Sequence, residues 1–228
     1  MNILQNKTFI QNECGNDFVI GDIHGNLDAL FALLENDSFN FDHDRLFALG
    51  DIIDRGDNSE GCLALLNEPW FFSVLGNHEA MFLELCENDN STLLNKNIGN
   101  QWLEKWLKQK DQLVQWAHAI QHKMPLTITL DFHGFTIGLV HAKAPERWPT
   151  QAEKRVSLAQ HNEEIWDRTE FYNRTGLTPY RGTDIALMGH NPVRKVTLHG
   201  NRIWLDTHHT SGHLSIVKVS QLVELFRK

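Results

Sequence analysis

Three times early in the chain a short apolar run stops at a glycine and continues with a polar side chain. The runs are Asp17–Ile20 before Gly21-Asp22, Arg45–Leu49 before Gly50-Asp51, and Trp70–Leu75 before Gly76-Asn77. Runs of this length and composition read as buried strands, and a glycine lets the backbone turn sharply where each one ends. Between them apolar residues recur at helical spacing: Leu27, Leu30, Phe31 and Leu34 in the first interval, Cys62, Leu65 and Leu66 in the second. A βαβαβ order of this kind implies a mostly parallel sheet with crossover helices, an α/β fold whose chemistry-bearing residues sit at strand ends.

From Glu79 to about His122 the pattern is helical. Trp102, Trp106, Leu103 and Leu107 form one stripe and Leu113, Trp116 and Ile120 a second. Tryptophans four residues apart on a helix read as core. After Pro125 the period becomes two, with Thr127–Leu130 and Phe135–Val140 flanking a turn at 131–134, and further strands are expected at 185–188, 202–205 and 214–219. Residues 142–183 carry prolines and charges with little periodicity and read as a long surface excursion around a short helix.

A length of 228 residues favours one domain spanning 1–228. With 21 basic against 29 acidic residues the net charge is −8, so no broad basic field exists to attract nucleic acid or an anionic membrane, and neither is expected as a partner. The first residues have neither a basic leader nor an apolar core, and no apolar run approaches the roughly 18 residues of a membrane span, which makes a cytoplasmic location the expectation. The three cysteines, Cys14, Cys62 and Cys86, lack C-x-x-C spacing and suggest neither a disulfide framework nor a thiolate zinc site.

An Asp-x-His pair puts a carboxylate and an imidazole on one side of an extended backbone, where both can hold one cation. The pair alone is weak, since it occurs at Asp22/His24, Asp131/His133 and Asp206/His208. Gly21-Asp22-Ile23-His24-Gly25 is far more specific, with a composition-based chance expectation of about 0.004. Gly76-Asn77-His78-Glu79 is about as improbable, and Gly50-Asp51-Ile52-Ile53-Asp54-Arg55-Gly56 lies between them.

In these motifs, taken in this order, the chain resembles the metallophosphoesterase superfamily, and more closely the phosphoprotein phosphatases of the small bacterial and lambda-phage type. Val140-His141-Ala142, Trp166-Asp167-Arg168 and Met188-Gly189-His190 extend the resemblance, which covers about residues 17–217. It implies a single calcineurin-like domain in which a β-sandwich is flanked by helices in an αββα arrangement. It also implies a dinuclear metal site, with Asp22, His24 and a bridging Asp51 on the first ion and Asp51, Asn77, His141 and His190 on the second. Oxygen and imidazole donors without thiolate suit Mn, with Fe or Zn as the other fits. Two divalent ions bring +4 and the two carboxylates −2, which leaves a positive site for hydroxide and a phosphate dianion. By the same resemblance Arg55 and Arg168 clamp phosphoryl oxygens, His78 is the general acid and Asp54 holds its other ring nitrogen. Glu79 fits a first helical turn and receives no catalytic role.

The expected activity is metal-dependent phosphomonoester hydrolysis on phosphoserine or phosphothreonine in proteins, and on phosphotyrosine as a further substrate, by direct attack of metal-activated hydroxide. Symmetrical dinucleoside polyphosphate hydrolysis is the alternative within the superfamily. A metal-binding regulatory module without turnover is the remote one. Most other histidines, His43, His118, His122, His133, His161 and His199, read as surface or turn residues. The stretch Asp206-Thr207-His208-His209 leading to His213 departs from the family's usual Asp-Thr-Gly and leaves two readings open, a substrate contact or a surface cluster.

Overall fold

Side chains on both faces of the first apolar runs are buried, which is why those runs are continuous rather than alternating: each strand lies between a helical layer and a second sheet. The computed structural model describes residues 1–88, 94–150, 154–173 and 178–227. In chain order the elements begin with β1 (Asn2–Leu4), β2 (Asn6–Ile10), β3 (Asp17–Ile20), α1 (Leu27–Asn36), β4 (Arg45–Ala48), α2 (Ser59–Ala64), β5 (Phe71–Ser73) and α3 (Asn77–Asn88). A 3-10 segment, Gln101–Trp106, precedes α4 (Lys110–Lys123), β6 (Thr127–Phe132), β7 (Phe135–Val140), β8 (Arg155–Ser157), α5 (Asn162–Trp166) and α6 (Thr169–Tyr172). The chain ends with β9 (Ile185–Met188), β10 (Thr197–His199), β11 (Arg202–Trp204), α7 (His208–Ser211), β12 (Ile216–Lys218) and α8 (Val219–Phe226).

One sheet has the order β12-β3-β4-β5, in which β3, β4 and β5 are parallel and β12 is an antiparallel edge. A second, six-stranded sheet has the order β10-β11-β9-β7-β6-β2 and is mixed, with β7, β9 and β11 parallel and the β6–β7 hairpin antiparallel, while β1 pairs with β8 in a separate antiparallel ribbon. Val19, Phe47, Leu49 and Val74 of the first sheet and its strand ends meet Leu139, Leu187 and Ile203 of the second in a shared core. Phe47 is fully buried there, so Phe47→Ala would cost about 3–5 kcal/mol. The outer face of the first sheet packs on α1 to α4 through Leu30, Leu34, Leu83 and Ile120. The architecture is an α/β fold with two stacked sheets flanked by helices. Among the described residues no helix is long and apolar enough to cross a membrane.

The structure departs from the sequence reading at several elements, the unforeseen C-terminal helix α8 among them. Strands β1 and β2 were not foreseen; β2 is an edge strand whose Lys7, Thr8 and Ile10 are exposed, so it carries no apolar signature. The helical stretch from Glu79 to His122 is broken: α3 ends at Asn88, residues 89–93 lie outside the described residues, and the chain then turns through Gly99 at φ 82°. A side chain at Gly99 would collide with the backbone of Arg55, with its Cβ 2.7 Å from Arg55 Cα, so contact with the Asp54-Arg55 loop overrides helical periodicity. Residues 142–150 and 154–173 are more than a surface excursion. Ala144, Trp148 and Phe171 cover the outer face of the second sheet over Val140, Ala186 and Met188.

Candidate active site

The three glycine-terminated runs deliver their polar residues to one edge of the sandwich. Asp22 and His24 follow β3, Asp51, Asp54 and Arg55 follow β4, Asn77 and His78 open α3 just after β5, and His141 and His190 follow β7 and β9. All of these except Arg55 are buried. Among the described residues seven non-glycine residues have positive φ, and five of them are His24, Asp51, Asp54, Arg55 and His190. Backbone held in this costly region at so many clustered polar residues is the mark of a functional site whose surroundings enforce it.

The donor atoms converge. His24 Nε2 lies 3.9 Å from Asp22 Oδ2 and 3.8 Å from Asp51 Oδ2, and His24 Nδ1 donates to the Ile53 carbonyl at 3.0 Å, which leaves Nε2 as the acceptor. His141 Nε2 lies 3.4 Å from Asp51 Oδ2 and 2.9 Å from Asn77 Oδ1, while its Nδ1 donates to the Leu49 carbonyl at 2.6 Å. His190 presents its backbone N–H to both oxygens of Asp22 at 3.1 Å. Asp51 therefore stands between two donor groups, one with His24 and His78 and one with His141 and His190. His78 also approaches Asp51 Oδ2, at 3.8 Å, but its Nδ1 donates to Asp54 Oδ2 at 2.7 Å.

Two glycines make this crowding feasible. A Cβ at Gly76 would lie 2.2 Å from Asp51 Oδ1, and one at Gly189 would lie 2.0 Å from Asp22 Oδ1. Any side chain at either position would displace a carboxylate.

Supporting contacts come from residues outside the proposed ligand set. Glu79 is fully buried and accepts four backbone N–H groups: Asp51 at 2.9 Å and Gly76 at 3.0 Å on Oε2, Ile52 at 2.8 Å and Ile53 at 3.3 Å on Oε1. A residue read from sequence as a helix-turn acid thus staples the Asp51 loop to the start of α3. Trp102 Nε1 donates to Asp54 Oδ1 at 2.7 Å, Ser59 Oγ accepts the Asp54 N–H at 2.9 Å, and Arg55 N–H donates to the Gly99 carbonyl at 2.9 Å. Trp102 does pack with Phe82 and Trp116, as its stripe suggests, but its indole N–H is committed to the site.

Charge follows the same geometry. Burial holds His24 and His190 neutral, with pKa values lowered to about 3. Burial also raises Asp22, helped by the nearby Asp206 and Asp51 carboxylates. In His78 burial opposes the charged ring, but Asp51, then the hydrogen bond and charge of Asp54, outweigh it and raise the pKa. Burial, then Asp51, pushes Glu79 up to about 7, while the amide donors favour its ionised form. Asp206 is buried and its Oδ1 has no hydrogen-bond partner. Three crowded carboxylates, neutral imidazoles and an unpartnered buried carboxylate oxygen form a donor set that calls for cationic charge, and they fit divalent ions with oxygen and nitrogen preference.

A cavity of about 90 Å³ opens on these donors and is lined by Asp22, His24, Asp51, Asn77 and His190 together with Arg55, Arg168, Asp206 and His209. Arg55 spans two rings, with Nη1 2.8 Å from His24 Nε2 and Nη2 3.3 Å from His78 Nε2. Arg168 donates through Nη1 to the His190 carbonyl at 2.9 Å, so the residue from the long 142–183 stretch does reach the site. Sequence reasoning did not include Asp206 or Trp102 in the site. Asp206 had a usable signal, since it ends the run Arg202–Leu205 as Asp22 and Asp51 end theirs; Trp102 had none. His118 and His122 stack on each other on α4 with the ring centroids 4.0 Å apart, away from this cavity.

A family model for the calcineurin-like phosphoesterases matches residues 18–220. Serine/threonine-protein phosphatase 1 of Salmonella typhimurium is 32% identical over 203 residues, covering 89% of this chain and 91% of that protein. Serine/threonine-protein phosphatase 2 of Escherichia coli is 33% identical over 213 residues, covering 89% and 92%. Among solved structures, one described as a candidate diadenosine tetraphosphatase superposes with a TM-score of 0.67 at 22% identity, covering 96% of this chain and 95% of that one. Strand-end donors on two stacked sheets, and a family match spanning nearly the whole chain, lead to one assignment: the chain belongs to the calcineurin-like metallophosphoesterases and is a hydrolase of phosphoric monoesters.

Proposed function

We propose that the protein is a serine/threonine protein phosphatase, with phosphotyrosine as a further substrate. The observation that carries this reading is the small cavity on which metal-type donors and two arginines converge, with the carboxylate-held His78 beside one of them, Arg55. The cavity's polar lining, with Arg55 and Arg168 beside the metal-type donors, suits an anionic phosphoryl group. The likeness to two serine/threonine phosphatases over 89% of the chain supports the same substrate class.

Asp22, His24 and Asp51 would hold one divalent ion, and Asp51, Asn77, His141 and His190 a second, with Mn as the resident metal. When bound, such ions lower the pKa of water toward neutrality and neutralise phosphoryl oxygens. Arg55 and Arg168 fork onto the remaining phosphoryl oxygens and orient the ester. His78 gives a proton to the departing serine or threonine oxygen, and Asp54 fixes the ring so that Nε2 faces that oxygen. The unpaired cysteines Cys14, Cys62 and Cys86 fit a reducing compartment and support the cytoplasm as its location.

The test is hydrolysis of a phosphoserine peptide and of diadenosine tetraphosphate by equal amounts of chelator-treated enzyme, before and after Mn is added. Hydrolysis that depends on Mn and favours the peptide is expected. A hundredfold preference for the dinucleotide, or full turnover without metal, would overturn the reading.

A further inference from the structure

Beside the phosphoryl cavity lies a second one of about 220 Å³, lined by His24, Asn26, Arg55, Gly56, His208 and His209. The two cavities share His24, Arg55 and His209. A phosphoryl group bound in the first cavity would need an adjoining space for whatever is attached to it, and this one opens on the same guanidinium. Its chemistry is one-sided. Although the chain has 29 acidic residues against 21 basic ones, no carboxylate lines this cavity among the described residues; its walls carry a guanidinium, two exterior imidazoles and an amide.

The backbone that carries the two imidazoles is held in place. The hydroxyl of buried Thr207 donates to the His213 carbonyl at 2.8 Å, and its carbonyl accepts the N–H groups of Thr210 and Ser211 at 3.2 and 2.9 Å. These bonds fix the short helix α7, on which His208 and His209 sit. A ring N–H donates to an anion whether the ring is neutral or charged, and a guanidinium offers a planar fork of N–H donors that matches anionic oxygens. Such a wall recognises negative charge.

We propose that this second cavity is a subsite for an anionic group next to the scissile phosphoryl, so that the enzyme selects phosphopeptides whose phosphorylated residue is flanked by acidic or phosphorylated side chains. The proposal rests on the reading of the first cavity as the phosphoryl site and names the substrate class which that site serves. It also decides the role of the histidines at 208 and 209 in favour of substrate contact. His24 lies at the seam between the cavities, and Arg55 faces both.

Three phosphoserine peptides, identical except that the flanking residues are Gln, Glu or phosphoserine, test it with the Mn-loaded protein. The Glu or the phosphoserine flanks should raise kcat/KM about tenfold over Gln, mainly through KM, and whichever does so identifies the source of the anion. In His208→Ala that ratio should fall to about twofold, with metal content and melting temperature compared with the parent to establish folding. A ratio near one in the parent, or a ratio that His208→Ala leaves unmoved, overturns the proposal. Binding of the same peptides to Mn-loaded His78→Asn, followed by fluorescence anisotropy, separates the two readings. If no peptide is turned over by the parent the phosphatase reading fails, whereas equal binding of all three defeats the subsite.

Discussion

Trp102 Nε1 donates to Asp54 Oδ1 at 2.7 Å, while the other oxygen of that carboxylate accepts from His78 Nδ1, also at 2.7 Å. The indole thus fixes the acid that fixes the imidazole, from a 3-10 segment that contributes no ligand. A hydrogen bond to a charged group is worth about 1.5–3 kcal/mol, or roughly 10- to 100-fold in an equilibrium or rate. Trp102→Phe keeps most of the packing and removes the donor. Its kcat on a phosphoserine peptide should fall about tenfold at unchanged metal content, with a smaller loss on p-nitrophenyl phosphate, whose leaving group needs less protonation. Equal losses on the two substrates would show that Trp102 acts by packing alone.

The raised pKa of His78 sets a direction for pH dependence. A ring whose pKa lies above 6.5 stays protonated to higher pH, so activity that uses its proton is present below that pKa and lost as pH rises through it. The basic limb of kcat should therefore lie above pH 6.5. Asp54→Asn removes one of the groups that raise it and should move the limb toward acid. A pH–rate profile of the two proteins at saturating metal checks this; a limb that stays in place would exclude the Asp54–His78 pairing from the rate-determining proton transfer.

Glu79 joins two segments through four amide hydrogen bonds, and Glu79→Gln would set an amide NH2 against backbone N–H donors. The loss should be about 2–4 kcal/mol, which for a chain of this size lowers the melting temperature by roughly 5–15 °C. Because the stapled loop carries Asp51, metal retention after dialysis should fall with it. Calorimetry and metal analysis on the same sample report both; a variant that melts normally and keeps its metal would contradict the staple.

Gly189→Ala places a methyl where Asp22 Oδ1 now lies. The carboxylate must move, so metal retention should weaken by at least about tenfold and activity should follow. Restoration of parental activity by saturating Mn would show that the site tolerates the displacement only at a cost in affinity. Full activity and parental metal retention in trace Mn would refute the steric argument.

The residues at the strand ends were legible because local rules mark them. Parallel strands buried on both faces must be apolar throughout, so Gly21-Asp22, Gly50-Asp51 and Gly76-Asn77 stand out as abrupt changes. The β6–β7 hairpin was equally plain, its register running from Thr127 opposite Val140 to Phe132 opposite Phe135 around a polar turn. Strand β2 and the break between α3 and α4 were not legible, because an exposed edge strand has no apolar pattern and the tryptophan stripe that starts at Trp102 reads as a continuation of the helix that precedes Gly99.

By itself the sequence determined which side chains end the central strands and therefore which chemistry the chain carries, since strand periodicity and glycine turns are local properties of a few consecutive residues. Tertiary structure alone decided that Trp102 reaches Asp54 across 48 positions, that Glu79 clamps the Asp51 loop, and that Asp206 and His209 turn toward the same cavity as Arg168. Those contacts arise when two sheets and their loops pack at once, and a contact between distant residues leaves no periodic trace in either of the segments that make it.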